Sequence, residues 1–168
     1  MSIKAYQSLI DQICEHAQIP DPQSMYLTAE LEVKGSKFLL RHGGSEAEQT
    51  VLIYCAMGEL LTQSREVVLL RLMETNLYLF GTAHNPFFVY NPENKHVMLT
   101  CTLWLGEASG LKTLALLEHF SEIAAEWRQN YFLEKKENQS GMLSAGRSAS
   151  KSDRARSNVL FGASLVRP

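Results

Sequence analysis

Three cysteines and five histidines are the residues of this chain best suited to chemistry, and their spacing decides which chemistry is open to them. A thiol nucleophile needs a base within hydrogen-bond reach. Cys101 and His96 fall on one predicted strand, but an offset of five residues puts their side chains on opposite faces. Cys55 with a histidine distant in sequence stays open as a small cysteine-dependent enzyme; that reading requires a low-pKa thiolate in an accessible, electropositive cleft. Cys14, Cys55 and Cys101 are each flanked by apolar residues, which fits reduced thiols serving as small hydrophobes. Metal chemistry finds less support. No CxxC pair occurs, and His16, His42, His84 and His96 sit in separate elements without ligand spacing. His119 and Glu122 lie one helical turn apart with Glu118 and Glu126 nearby, yet no second acid–histidine pair completes a two-metal site. The letters of an SxxK motif at Ser148 and Lys151 lie in a low-complexity stretch unsuited to a preorganised site. Gly35, Gly43, Gly44, Gly106 and Gly110 match no phosphate-binding fingerprint. These residues predict no enzyme, no cofactor and no metal.

The elements that would position such groups are legible from periodicity. Residues 3–18 read as a helix, with Ile3, Tyr6, Ile10, Ile13 and Ala17 three or four apart, Ser2 as its cap and Pro20 and Pro22 as its stop. Residues 26–33 alternate Leu27, Ala29, Leu31 and Val33 with Thr28, Glu30 and Glu32, the pattern of a half-buried strand. A turn around Gly35 returns the chain through residues 37–42. Residues 50–57 are apolar on both faces, which places this third strand centrally in its sheet. Helical spacing resumes over 64–78, capped by Ser64. Residues 87–90 and 96–105 form a second hairpin about the turn 91–94. A long helix from 111 to 133 carries the stripe Leu116, Phe120, Ile123, Ala124, Trp127 and Tyr131. The order α-β-β-β-α-β-β-α predicts an α+β fold, an antiparallel sheet with helices on it.

The formal net charge of −2 over 168 residues hides a division. Residues 138–168 carry five basic residues (Arg147, Lys151, Arg154, Arg156 and Arg167) against Asp153 alone, leaving 11 basic and 17 acidic residues in 1–137. Fourteen of those last 31 residues are Ser, Ala or Gly, so we expect a folded domain over 1–137 and a flexible basic tail over 138–168. The tail reads as an inert linker, as a contact for an acidic partner or the body, or as a nucleic-acid contact. That last use, a tail-mediated regulatory binding protein, has only Phe161 available for stacking. No run of about 18 apolar residues predicts a membrane span, and the first residues lack the apolar stretch of a secretory signal, so a cytoplasmic protein is expected.

The unusual feature is apolar excess. Val67, Val68, Leu69, Leu70, Leu72, Met73 and Leu77 cover more than one stripe of the middle helix, and a second apolar face suggests a second chain. Leu39, Leu52, Tyr54, Met98 and Trp104 fall opposite the core face of their strands, the makings of an apolar groove for an extended partner. The element order, the Leu-rich helix ending Leu72, Met73, Glu74, Thr75, Asn76, the glycine and hairpin that follow it, and Glu126, Trp127 and Arg128 on the last helix resemble the class I type III secretion chaperones, the Tir-chaperone family, over residues 3–133. The resemblance implies a non-enzymatic homodimer. It would hold the N-terminal chaperone-binding segment of a secreted effector in extended form, keep it soluble and secretion-competent, and target it to the export apparatus and its secretion ATPase. By that resemblance Val68, Leu69, Leu72, Met73, Asn76 and Leu77 would form the dimer interface. Leu39, Leu52, Tyr54, Met98 and Trp104 would contact the effector. The turn at Asn91–Lys95 departs from the acidic-glycine turn the family carries there.

Overall fold

The computed structural model describes residues 2–43, 49–60 and 62–133; the expected basic tail, with the Ser148 and Lys151 pair, lies outside the described residues. The chain starts with helix α1 (Ser2–Ala17), whose stripe of Tyr6, Leu9, Ile10, Ile13 and Cys14 is buried. Gln18 adopts a left-handed conformation and Ile19 N–H bonds the Cys14 carbonyl at 2.8 Å, closing the helix before Pro20. Ser2 is the first helical residue, and its hydroxyl bonds the His42 ring.

A 3-10 turn at Gln23–Met25 precedes strand β1 (Ala29–Val33). The strand is therefore shorter than alternation predicts. Pairing begins only at Ala29, opposite Leu40, and Leu27 projects into solvent at 89% exposure. Lys34 and Gly35, both at positive φ, make the two-residue turn into β2 (Ser36–His42). Strand β3 (Thr50–Glu59) follows, then helix α2 (Arg65–Leu79), strands β4 (Phe87–Asn91) and β5 (His96–Trp104), and helix α3 (Gly110–Asn130). The five strands form one antiparallel sheet in the order β1-β2-β3-β5-β4, so β3 is central as its two apolar faces required. The α+β architecture and the element order are those the sequence predicts.

The inner face of the sheet presents Phe38, Leu40, Val51, Ile53, Cys55, Met57, Val97, Leu99, Cys101 and Leu103 to α1 and α3. On α3 the core residue is Leu117 rather than Leu116, joined by Phe120, Ala124 and Trp127. Gly110 lets α3 start against α1: a Cβ there would stand 2.7 Å from the Gln12 Cβ, and Gly110 N–H bonds the Gln12 side-chain carbonyl at 3.0 Å. The first hairpin is pinned to α3 by Lys34 to Glu118 and Glu122, by Ser121 to the Val33 carbonyl, and by Arg128 to Ser36. Each exposed ion pair contributes little alone. Together they fix β1 and β2 against the longest helix.

The turn at Asn91–Lys95 closes by side-chain capping instead of by glycine. Asn91 accepts from Glu93 N–H, Asn94 accepts from His96 N–H, and Lys95 takes the positive φ.

Candidate functional site

The thiols are placed as core residues. All three cysteines are free and buried. Burial pushes the Cys55 and Cys101 thiols up to about 12, and burial with Asp11 and Asp21 nearby raises Cys14 as well. A thiol that stays protonated and sealed inside a core is neither a neutral-pH nucleophile nor a ready metal ligand. Among the described residues no three His, Cys, Asp or Glu side chains gather to hold a metal, and no helix is long and apolar enough to cross a membrane. His119 lies on the exposed side of α3.

What the sheet offers is a surface. Strand alternation sends Glu30 and Glu32 of β1, Lys37, Leu39 and Arg41 of β2, Leu52, Tyr54 and Ala56 of β3, and Met98 and Trp104 of β5 to the face opposite the helices. Register then sets neighbours. Leu39 stands opposite both Glu30 and Tyr54, Ala56 opposite Met98, and Arg41 opposite Leu52. The result is an open groove of about 510 Å³ with Leu39, Tyr54, Ala56 and Met98 as its floor and Glu30, Glu32, Lys37 and Arg41 around it. Leu39, Tyr54 and Met98, three of the five expected effector contacts, line this groove. Leu52 and Trp104 share its face but lie outside it, Trp104 half exposed at the far end of β5. Ala56 and the four charged residues are not among the expected contacts; small or charged, they carry no apolar signal, and only their place in the strand alternation puts them here.

Helix α2 offers a second surface, with its phase corrected. Val68 and Leu72 face inward at 0% and 4% exposure, so they belong to this chain's own core and not to an interface with another. Leu69 is half-buried on the flank. Asn76 is engaged within the chain: its side chain accepts from Phe88 N–H at 2.7 Å and donates to the Phe88 carbonyl at 3.1 Å. Met73 and Leu77 do face solvent, at 70% and 73%, and Val67 and Leu70, at 59% each, extend them into a stripe along the outer side. The two Phe88 groups that Asn76 satisfies belong to the edge strand β4, so α2 closes that edge of the sheet. Arg71 bonds the Phe132 carbonyl at 3.0 Å, Phe132 packs edge-on against Phe88 and Trp127, and Arg65 lies over the Tyr90 ring.

Asn76→Ala tests this closure. It leaves both Phe88 backbone groups without their partner, and thermal unfolding should show a loss of about 1–3 kcal/mol. An unchanged midpoint would mean that α2 does not hold the β4 edge.

No family model matches the sequence, and no curated protein does. Solved structures match well. A chain of the ExsC–ExsE complex superposes with a TM-score of 0.61 at 14% identity, over 77% of this chain and 94% of that one. A chain of the HopA1–SchA chaperone–effector complex gives 0.58 at 13% identity, over 77% and 97%. The complex of the Yersinia pestis type III secretion chaperone SycH with a stable fragment of YscM2 gives 0.55 at 13% identity, over 72% and 98%. The chain therefore has the fold found in type III secretion chaperone complexes.

Proposed function

We propose that this chain is a class I type III secretion chaperone: a non-enzymatic, cytoplasmic binding protein that holds an extended segment of a secreted effector and delivers it for export. The observation that carries the reading is the apolar floor of Leu39, Tyr54, Ala56 and Met98 on the sheet face that no helix of the described residues covers. The shared fold with chaperone–effector complexes supports it. A groove built this way binds side chains of a strand-like segment without requiring that the partner be folded. Two copies joined through the outer stripe of α2 (Val67, Leu70, Met73 and Leu77) form the functional unit, offering two grooves to one chain. Winding such a segment over a dimer buries about 1,000–3,000 Å², which offsets the cost of ordering it. Delivery to the secretion ATPase is the step at which release occurs. Co-expression with a candidate type III secreted protein tests the reading. Its N-terminal segment should be retained in the soluble fraction on this chain, and a secreted protein equally soluble alone, with no retention, would overturn it.

A further inference from the structure

The two edges of the sheet are treated differently. At the β4 edge, Asn76 satisfies the outward N–H and C=O of Phe88. At the β1 edge the register shows the opposite. The two-residue turn makes Val33 and Ser36 a hydrogen-bonded pair, so by antiparallel alternation Leu31 with Phe38 and Ala29 with Leu40 are bonded too. The backbone groups of Glu30 and Glu32 therefore point away from β2. Among the described residues nothing hydrogen-bonds them. The β4 edge is capped at Phe88, and the β1 edge is open.

The open edge carries a charge pattern. Glu30 and Glu32 are exposed, border the groove, and make no ion pair among the described residues. Two cations near the hairpin turn are engaged with α3 or with the turn itself: Lys34 with Glu118 and Glu122, Arg128 with Gly35 and Ser36. Glu32 stands opposite Lys37 in register, yet the two remain unpaired. An added strand would set alternate side chains beside these two carboxylates, since directly opposed cross-strand residues share a face. A second copy of β1 pairing antiparallel would set glutamate against glutamate. The edge thus repels its own kind and favours the opposite sign.

We propose that the open β1 edge selects partner strands with basic residues at alternate positions, opposite Glu30 and Glu32, and apolar residues between them, beside Leu31. The proposal rests on the chaperone reading and adds to it the chemistry of the segment that is taken. The partner's basic residues lie on the groove side with Glu30 and Glu32 and fix register and orientation along β1, while its apolar residues extend the core face beside Leu31.

The test uses the full chain and three end-blocked synthetic decapeptides in which valine alternates with arginine, with threonine or with glutamate, their dissociation constants read by fluorescence anisotropy. The arginine peptide should bind roughly tenfold more tightly than the threonine peptide, and the glutamate peptide more weakly still. Glu30→Lys with Glu32→Lys should reverse that order. Glu15→Lys with Glu107→Lys, an equal change of net charge at exposed sites elsewhere, should not. Circular dichroism confirms that each variant is folded. Equal binding of the three peptides, or an order unchanged by the Glu30 and Glu32 substitutions, overturns the proposal, as does an order reversed equally by the Glu15 and Glu107 control. Retention of a secreted segment that depends on the groove but not on Glu30 and Glu32 would leave the chaperone reading standing alone. Failure to retain any secreted segment, with charge-ordered peptide binding, would remove that reading instead.

Discussion

Leu70→Asp combined with Leu77→Asp should leave the chain folded and separate the proposed dimer into monomers. Both side chains project outward from α2, at 59% and 73% exposure, so a carboxylate at either position stays hydrated within one chain. In a dimer joined along this stripe the same carboxylates are buried without a partner, at a cost of several kcal/mol each. The dimer's dissociation constant should rise by more than about a hundredfold, read by sedimentation or light scattering across a dilution series. The contrast with the inner face makes the result specific. Leu72→Asp or Val68→Asp puts the charge into this chain's own core and should unfold it, giving a molten or aggregated product instead of a compact monomer. A Leu70 and Leu77 double variant that sediments as a dimer would place the interface elsewhere.

Leu39→Ala with Tyr54→Ala should abolish retention of the secreted partner while leaving oligomeric state and unfolding midpoint nearly unchanged. The two residues are cross-strand neighbours in the middle of the groove floor, each half-buried, so truncation removes contact surface without opening the core. Central apolar anchors of an interface each contribute about 2 kcal/mol or more, so the pair should weaken binding roughly a thousandfold. Trp104→Ala, on the same face but outside the groove, should cost far less. Equal losses from Trp104 and from the Leu39 and Tyr54 pair would move the binding surface along β5.

Most elements were legible from their apolar pattern, their length and the breakers that bound them. Strand β3 declared its central place by being apolar on both faces, and α1 its length by a clear stripe ending at two prolines. The groove was legible for the same reason. Once β2, β3 and β5 alternate, Leu39, Tyr54 and Met98 must share a face whatever the pairing partner. Helix α2 was not, because its apolar residues nearly surround it. A helix with little amphipathic contrast reveals that two faces are covered but not which one belongs to the chain's own core, so Val68 and Leu72 were assigned outward when packing against β4 takes them inward. Adjacent leucines caused the same ambiguity on α3, where Leu117 displaced Leu116. Leu27 failed for a different reason. Its alternation continues that of β1, but the preceding 3-10 turn leaves it no strand to pair with. The role of Asn76 had no signal in the sequence at all, since closing a sheet edge depends on the β4 backbone arriving beside it.

Amide hydrogen exchange on the co-expressed complex reads whether the outer sheet face grips an extended segment of a secreted protein. Exchange should slow in β1 and β2, above all at Glu30 and Glu32, with the bound partner segment protected only where it meets this chain and free of any protected core of its own. Unchanged exchange across β1 and β2, or a partner that binds as a folded domain with its own protected core, would contradict it.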